Sequence, residues 1–332
     1  MKAPVSMWIL AAKTDVPYML RTIPHLVKAC NYPFVERVLA IDTANLTGSM
    51  RVRYNPGSQE ELESACKTLV DQGFIDKIVK IDYEPEQINR IYQKYFGNQQ
   101  AQQMLNHTHN WKGSTIYGSL YCIEASATDY YLHFDADMLL HQDPDYNWIT
   151  NAIDLMVSTP SIVTARPLCG PPHPEGKAFQ PRQFVKDPKG FSAQKFFSMR
   201  AYLINRQTFS LLSPIPLIWK SPPLLSRKLP QPLQPLSAKI ERRLRRTSGS
   251  IQGALASFEV MASEKLQNSS FVRADLSSTK AWTIHPRKHD PEFIQALPNL
   301  IKLIEEGEYP LAQAGHYDLQ LEAWLELLKS PV

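Results

Sequence analysis

YYLHFDADMLLHQD, spanning Tyr130 to Asp143, sets Asp135 and Asp137 one residue apart at the end of an apolar run. The run is short and rich in aromatic and branched side chains, which suits a buried strand. Carboxylates are almost never buried unpaired. Two of them at the tip of a core strand therefore call for a partner, and the flanking segments narrow the choice.

Upstream, strand and helix patterns alternate. VSMWILAA predicts a first strand. Asp15 and Pro17 then suit a helix start, with Met19, Leu20, Ile23, Leu26 and Val27 at helical spacing. Pro24 is expected to kink or break that helix. ERVLAIDTA predicts a second strand ending at Asp42. Ser58 and Glu61 form a capping box ahead of ELESACKTLVDQG. IDKIVKID reads as a third strand, and EPEQINRIYQKYFG and GSTIYGSLYCIEASA as helices, the second leading straight into Tyr130. Such alternation predicts an α/β fold with a parallel sheet and right-handed crossovers. In these sheets ligands bind outside the carboxyl ends of the strands. Asp42, Asp82, Asp135 and Asp137 all fall at predicted carboxyl ends.

Downstream the chain is less regular. SIVTARPL and FFSMRAYLIN predict strands, separated by a proline-rich loop. From Pro214 to Pro235 prolines recur too often for a helix or central strand. SAKIERRLRRTSGS follows and is strongly basic. GALASFEVMASEKLQN predicts a helix and KAWTIHP a short strand. Two amphipathic helices, PEFIQALPNLIKLIEEG and DLQLEAWLELLK, come last.

The 332 residues suffice for a sizeable core, and the net charge of +4 is too small to imply nucleic acid as a partner. Cys30, Cys66, Cys122 and Cys169 form no C-x-x-C pair, and three fall in predicted helices. That predicts reduced, buried thiols and a cytoplasmic protein. The apolar run behind Lys2 is shorter than a signal sequence needs and is taken as the first strand. No stretch approaches a membrane span. The basic residues Lys239 to Arg246 have only Ile240 and Leu244 as apolar anchors, so a solvated segment is the simplest expectation. Its functional alternatives are an active-site lid or a peripheral contact with anionic lipid headgroups.

Two carboxylates at a strand end can approach one cation. Mg²⁺ takes carboxylate, water and phosphate oxygens, and Mn²⁺ accepts these and a histidine nitrogen. A cation so held can neutralise a phosphate leaving group. A solvated D-x-D in a loop is the plain alternative, since the triplet is common by chance.

ASATDYYLHFDADMLL resembles the D-x-D region of GT-A glycosyltransferases, above all the inverting ones related to cellulose, chitin and polysaccharide synthases. SMWILAAKTD is similar to that family's first strand and turn, and ERVLAID to its second strand. The resemblance implies a GT-A, Rossmann-like, mostly parallel sheet flanked by helices. It implies a nucleotide-sugar-binding half at 1–145 and an acceptor and catalytic half at 146–290, with a proline-rich, basic segment near 214–250. A helical extension fills 291–332. By the same resemblance Asp42 contacts the donor base, Lys112 and Gly113 line the donor pocket, and Asp135 contacts donor and metal. Asp137 binds the metal, Mn²⁺ or Mg²⁺. FEVMASEKL resembles the helix start bearing the catalytic acid, which makes Glu259 the base. AWTIHP resembles the segment carrying a metal-binding histidine, which makes His285 the ligand. Glu264 and Asp275 rival Glu259, and His289 rivals His285.

Each residue also has a plainer role. Asp42 suits a turn cap, Glu259 a solvated helix face, and His285 a hydrogen-bonded core histidine. The leading expectation is metal-dependent transfer of a sugar from a nucleotide-diphosphate donor to an acceptor hydroxyl, the acceptor being a saccharide, lipid or protein. One alternative is a phosphatase of the haloacid dehalogenase type, whose nucleophile motif is also D-x-D. The other is a degenerate GT-A domain that binds without catalysis.

Overall fold

The computed structural model describes residues 2–52, 56–179, 185–220 and 254–329. The basic segment 239–246, and all of the proline-rich run beyond residue 220, lie outside the described residues.

In chain order the first half runs β1 (Val5–Ala11), α1 (Val16–Cys30), β2 (Glu36–Ile41), α2 (Gln59–Asp71), β3 (Lys77–Lys80), α3 (Pro85–Phe96), α4 (Asn98–Met104), α5 (Tyr117–Ala125) and β4 (Tyr130–Asp135). There follow β5 (Leu139–Gln142), α6 (Trp148–Ser158), β6 (Ile162–Arg166), β7 (Leu168–Cys169), β8 (Val185–Asp187), β9 (Phe191–Gln194), β10 (Ala201–Asn205) and α7 (Arg206–Ser210). After the short strands β11 (Trp219–Lys220) and β12 (Ala254–Leu255) come α8 (Phe258–Gln267), β13 (Val272–Leu276), β14 (Ala281–Ile284), α9 (Pro291–Glu305) and α10 (Leu321–Lys329).

The main sheet has nine strands in the order β3-β2-β1-β4-β10-β6-β13-β9-β8. β3, β2, β1 and β4 are parallel neighbours. β10 lies antiparallel between β4 and β6, so β6 and its parallel neighbour β13 run the same way as β4. The carboxyl ends of β2, β4, β6 and β13 therefore share one edge of the sheet. A smaller sheet, β5-β14-β7, carries the chain onward from the D-x-D.

Alternation along the strands builds a core on each face. Val5, Met7, Ile9 and Ala11 of β1 join Leu132 and Phe134 of β4 beneath α1, α2, α6 and α9. Trp8 and Tyr131 point the other way, into the layer of α3, α5 and α8. Two-residue periodicity thus sorts the side chains of one strand between two cores.

The Ser58 capping box forms as the sequence predicts: Ser58 Oγ accepts from Glu61 N at 3.1 Å, and Ser58 N donates to Glu61 Oε2 at 2.7 Å. Pro24 does not end α1, which runs unbroken to Cys30. The carbonyl it deprives of a partner is that of Leu20, an exposed residue open to water. FFSMRAYLIN becomes strand only from Ala201, because the backbone before it bonds to side chains of α8 instead of a strand: Phe197 N donates to Ser263 Oγ and Met199 N to Glu259 Oε2. All four cysteines are free and buried. Residues 291–332 are read from sequence as an extension, yet Leu297, Leu300 and Trp324 pack into the same core as β1. No helix among the described residues is long and apolar enough to cross a membrane.

Candidate functional site

β4 ends at Asp135, and Ala136 and Asp137 form a turn closed by Met138 N donating to Asp135 O at 3.2 Å. The chain thus turns at this strand end, and Asp135 and Asp137 do not lie along one extended strand. The turn separates their environments: the Asp135 side chain is 42% exposed and that of Asp137 only 7%. Asp135 keeps the strand face of Tyr131 and His133, and His133 Nε2 lies 3.2 Å from its Oδ1. The turn itself is held from α1, where the Thr22 hydroxyl donates to the Ala136 carbonyl.

Asp137 points into a nest built by the far end of the chain. His289 Nε2 lies 2.8 Å from its Oδ2, and His285 Nε2 lies 3.6 Å from the same oxygen. Burial pushes the Asp137 carboxyl up, but His285, the hydrogen bond from His289 and the Arg200 guanidinium outweigh it. The carboxyl is held well below the usual range and stays ionised. Its other oxygen, Oδ1, is buried with no hydrogen-bond partner among the described residues.

The structure brings both rival histidines to Asp137 and gives them different work. His289 must carry its proton on Nε2 to bond the carboxylate, and its ring stacks on Tyr18 at 4.7 Å. That nitrogen has no lone pair to offer a cation. His285 sits too far from Asp137 for a hydrogen bond, and its Nδ1 is buried without one among the described residues. Tyr317 stacks beside His285, and Asp318 Oδ1 faces its Nδ1 at 3.6 Å.

A divalent cation fits this donor set in kind: two carboxylates and one free imidazole suit Mn²⁺ or Mg²⁺. The orphaned Oδ1 of Asp137 is the atom such an ion would satisfy. Among the described residues no three His, Cys, Asp or Glu side chains form a cluster able to hold a metal unaided. An ion here would draw further oxygens from water and from a ligand, as Mg²⁺ commonly does.

Asp42 follows β2 on the same sheet edge. Its Oδ1 accepts from Tyr83 at 2.7 Å and from Ala44 N at 2.9 Å, and its Oδ2 meets His109 Nε2 at 2.9 Å. Burial pushes this carboxyl up, and His109 and Tyr83 outweigh it and hold it low. His109 and Tyr83 also stack, with centroids 6.3 Å apart, giving an aromatic wall beside the carboxylate. Neither residue is singled out by the sequence, because their meeting depends on how α3 and α5 dock.

Lys112 and Gly113 lie on an adjoining loop. Lys112 is exposed, its ammonium over the Trp111 ring at 5.3 Å. Gly113 has φ +89°, and a Cβ there would meet the Thr47 carbonyl oxygen at 2.1 Å. Gly48, at φ +55°, faces the backbone of Lys112 equally closely. Only glycines allow these two loops to touch.

Glu259 starts α8, and its Oε2 accepts from Met199 N at 3.3 Å. The next residue, Arg200, accepts from Asp135 N through its carbonyl at 2.7 Å. Two backbone units therefore join the Glu259 carboxylate to the D-x-D strand. Glu264 is exposed and bonded to Asn268 of its own helix. Asp275 is locked between Arg166 and Arg273, at 2.9 and 2.7 Å. Asp275 is thus already paired with two guanidiniums, whereas Glu259 alone of the three is bonded to the backbone that leads to the D-x-D strand.

No protein-family model matches the chain, and no curated protein matches it. Solved structures give distant likenesses. GalNAc-T7, solved with UDP, GalNAc and Mn²⁺, is 12% identical over 86% of this chain and 44% of its own, with a TM-score of 0.45. The mannosyltransferase PcManGT from Pyrobaculum calidifontis, in complex with GDP-Man and Mn²⁺, is 11% identical over 65% of this chain and 48% of its own, at 0.37. TarS of S. aureus is 10% identical over 64% of this chain and 30% of its own, at 0.34. The chain spans less than half the length of each. Likeness at this level decides neither activity nor substrate, which rest on the residues themselves.

Proposed function

We propose that the protein transfers a sugar from a nucleoside-diphosphate donor to an acceptor hydroxyl, with Mn²⁺ or Mg²⁺ held at Asp135 and Asp137. The observation that carries this is Asp137: ionised, walled by two histidines, with one buried oxygen unpartnered at the carboxyl edge of a parallel strand. His285 would complete the protein's share of the ligands, and His289 would fix the carboxylate. When bound, the cation would neutralise charge on the diphosphate leaving group. The Asp42, His109 and Tyr83 wall suits the donor base, and Lys112 and Gly113 border it. Glu259 is the general base, drawing the proton from the acceptor hydroxyl as it attacks.

The test is nucleoside diphosphate release from a panel of nucleotide sugars with Mn²⁺, by the full chain and by Asp137→Ala. Turnover in the parent and its loss in a folded variant support the proposal. Turnover equal in both overturns it. Hydrolysis of p-nitrophenyl phosphate without any from nucleotide sugars would favour the phosphatase instead.

A further inference from the structure

Beyond the D-x-D, the same sheet edge holds a cavity of about 140 Å³. It lies at the carboxyl ends of β13 and β7, lined by Ser192, Gln194, Asp275, Ser277 and Thr279 against an apolar wall that includes Cys169 and Pro171. Gln194 is only 6% exposed, yet its side-chain amide makes no hydrogen bond among the described residues. The hydroxyls of Ser192, Ser277 and Thr279 likewise find no protein partner among the described residues. Ser277 and Thr279 are exposed and Ser192 is half-buried, so Gln194 is the one of these four polar residues that is buried in the cavity wall.

Charge narrows the occupant. Asp275 is the carboxylate in the lining, and it already meets Arg166, Arg273 and the Cys169 thiol. It has little left to hold a cation, and it would repel an anion. The two guanidiniums are turned toward Asp275, with Tyr317 and Phe196 covering their faces at 5.1 and 5.5 Å. Lys177, at the mouth, is paired with Glu175. What remains is His173, whose Nδ1 accepts from Glu175 N at 3.1 Å, together with an amide, three hydroxyls and an apolar wall.

The cavity also adjoins the D-x-D. Gly315, in its lining, is two residues from Tyr317, whose ring lies beside His285 and whose hydroxyl meets Met138 Sδ at 3.7 Å. Gly170, also in the lining, packs so tightly on His316 that a Cβ would lie 2.2 Å from its carbonyl oxygen.

We propose that this cavity binds a neutral, hydroxyl-rich ring, a saccharide unit of the acceptor, through Gln194 and the hydroxyls of Ser192, Ser277 and Thr279. The proposal rests on the transferase reading for the word acceptor, but not for the binding itself. An amide and hydroxyls set on an apolar wall are the kinds of group that hold a sugar ring by hydrogen bonds and apolar contact.

Saturation-transfer NMR on the full chain tests it, with glucose, galactose, mannose and N-acetylglucosamine as probes and glucuronate and glucosamine as charged controls. At least one neutral sugar is expected to bind, with the charged controls weaker. Gln194→Leu is expected to weaken that sugar about tenfold or more, because a site built for a hydroxyl pays when the pairing is lost. Ser277→Ala, at the exposed rim, gives a smaller loss and serves if Gln194→Leu does not fold. Asp137→Ala should leave sugar binding intact. No binding of any neutral sugar, or equal binding by parent and both cavity variants, overturns the proposal. Preferred binding of glucuronate overturns the neutral class. Sugar binding without any Mn²⁺-dependent binding of nucleoside diphosphates would instead sink the transferase reading and leave the cavity standing.

Discussion

His289 Nε2 lies 2.8 Å from Asp137 Oδ2, a contact that spans 152 residues of chain. It ties the turn after β4 to the loop before α9, and the Tyr18 ring backs it from α1. His289→Ala would leave a buried carboxylate with one fewer partner. The expected cost is about 1–3 kcal/mol of stability, read from urea unfolding at neutral pH. A change within experimental error would show that Asp137 does not depend on this histidine.

Glu259 holds Met199 N but accepts no other side chain among the described residues. Glu259→Gln keeps an acceptor for that N–H and removes the base. Sugar transfer is expected to fall roughly 10²–10⁴-fold, while nucleoside diphosphate binding stays at the parent level. If transfer persists, the proton leaves by another route.

Much of this arrangement is legible in the sequence. The strand β1 announces itself by its apolar run, β2 and β4 by apolar runs ending in aspartate, and α2 by its capping box. These signals are local, so they survive without the fold. Helix α6 is not among the expected elements; the structure starts it with Asn147 Oδ1 accepting from Thr150 N at 3.1 Å. The presence of β10 is legible in FFSMRAYLIN, but the reversed direction of β9 and β10 is not, since it depends on connections whose geometry no short pattern encodes. Nor is the company Asp42 and Asp137 keep. His109, Tyr83, Tyr317 and Asp318 reach the sheet edge only when separate segments pack, and Asp275, a fair rival on sequence, is excluded only by the two arginines that enclose it.

Asp275 should govern the response to acid. Burial pushes its carboxyl up, but Arg166 and Arg273 outweigh this and hold it below its ordinary value. A depressed carboxyl stabilises the fold fully above the unfolded value of about pH 3.9 and loses that contribution as pH falls toward the folded value. Asp275→Asn is expected to cost about 3–5 kcal/mol at neutral pH, with the gap to the parent narrowing below about pH 4. Thermal melts across pH 2.5 to 7 give the comparison, and a gap that widens in acid would contradict the assignment.

Gly113 sits at φ +89° with the Thr47 carbonyl in the way of any Cβ. Gly113→Ala must push the two loops apart. A loss of at least about 2 kcal/mol is expected, together with weaker nucleoside diphosphate binding if these loops border the donor. A fully stable variant with unchanged binding would remove Gly113 from the site.

The central claim concerns Asp137 and a cation, and thermal shift measures it directly. A ligand that binds only the folded chain raises its melting temperature. A set of nucleoside diphosphates should raise the melting temperature of the full chain when Mn²⁺ is present and not when it is replaced by a chelator. In Asp137→Ala that Mn²⁺-dependent rise should vanish while the variant still melts cooperatively. A rise of the same size with and without Mn²⁺, or one that Asp137→Ala retains in full, would contradict the account.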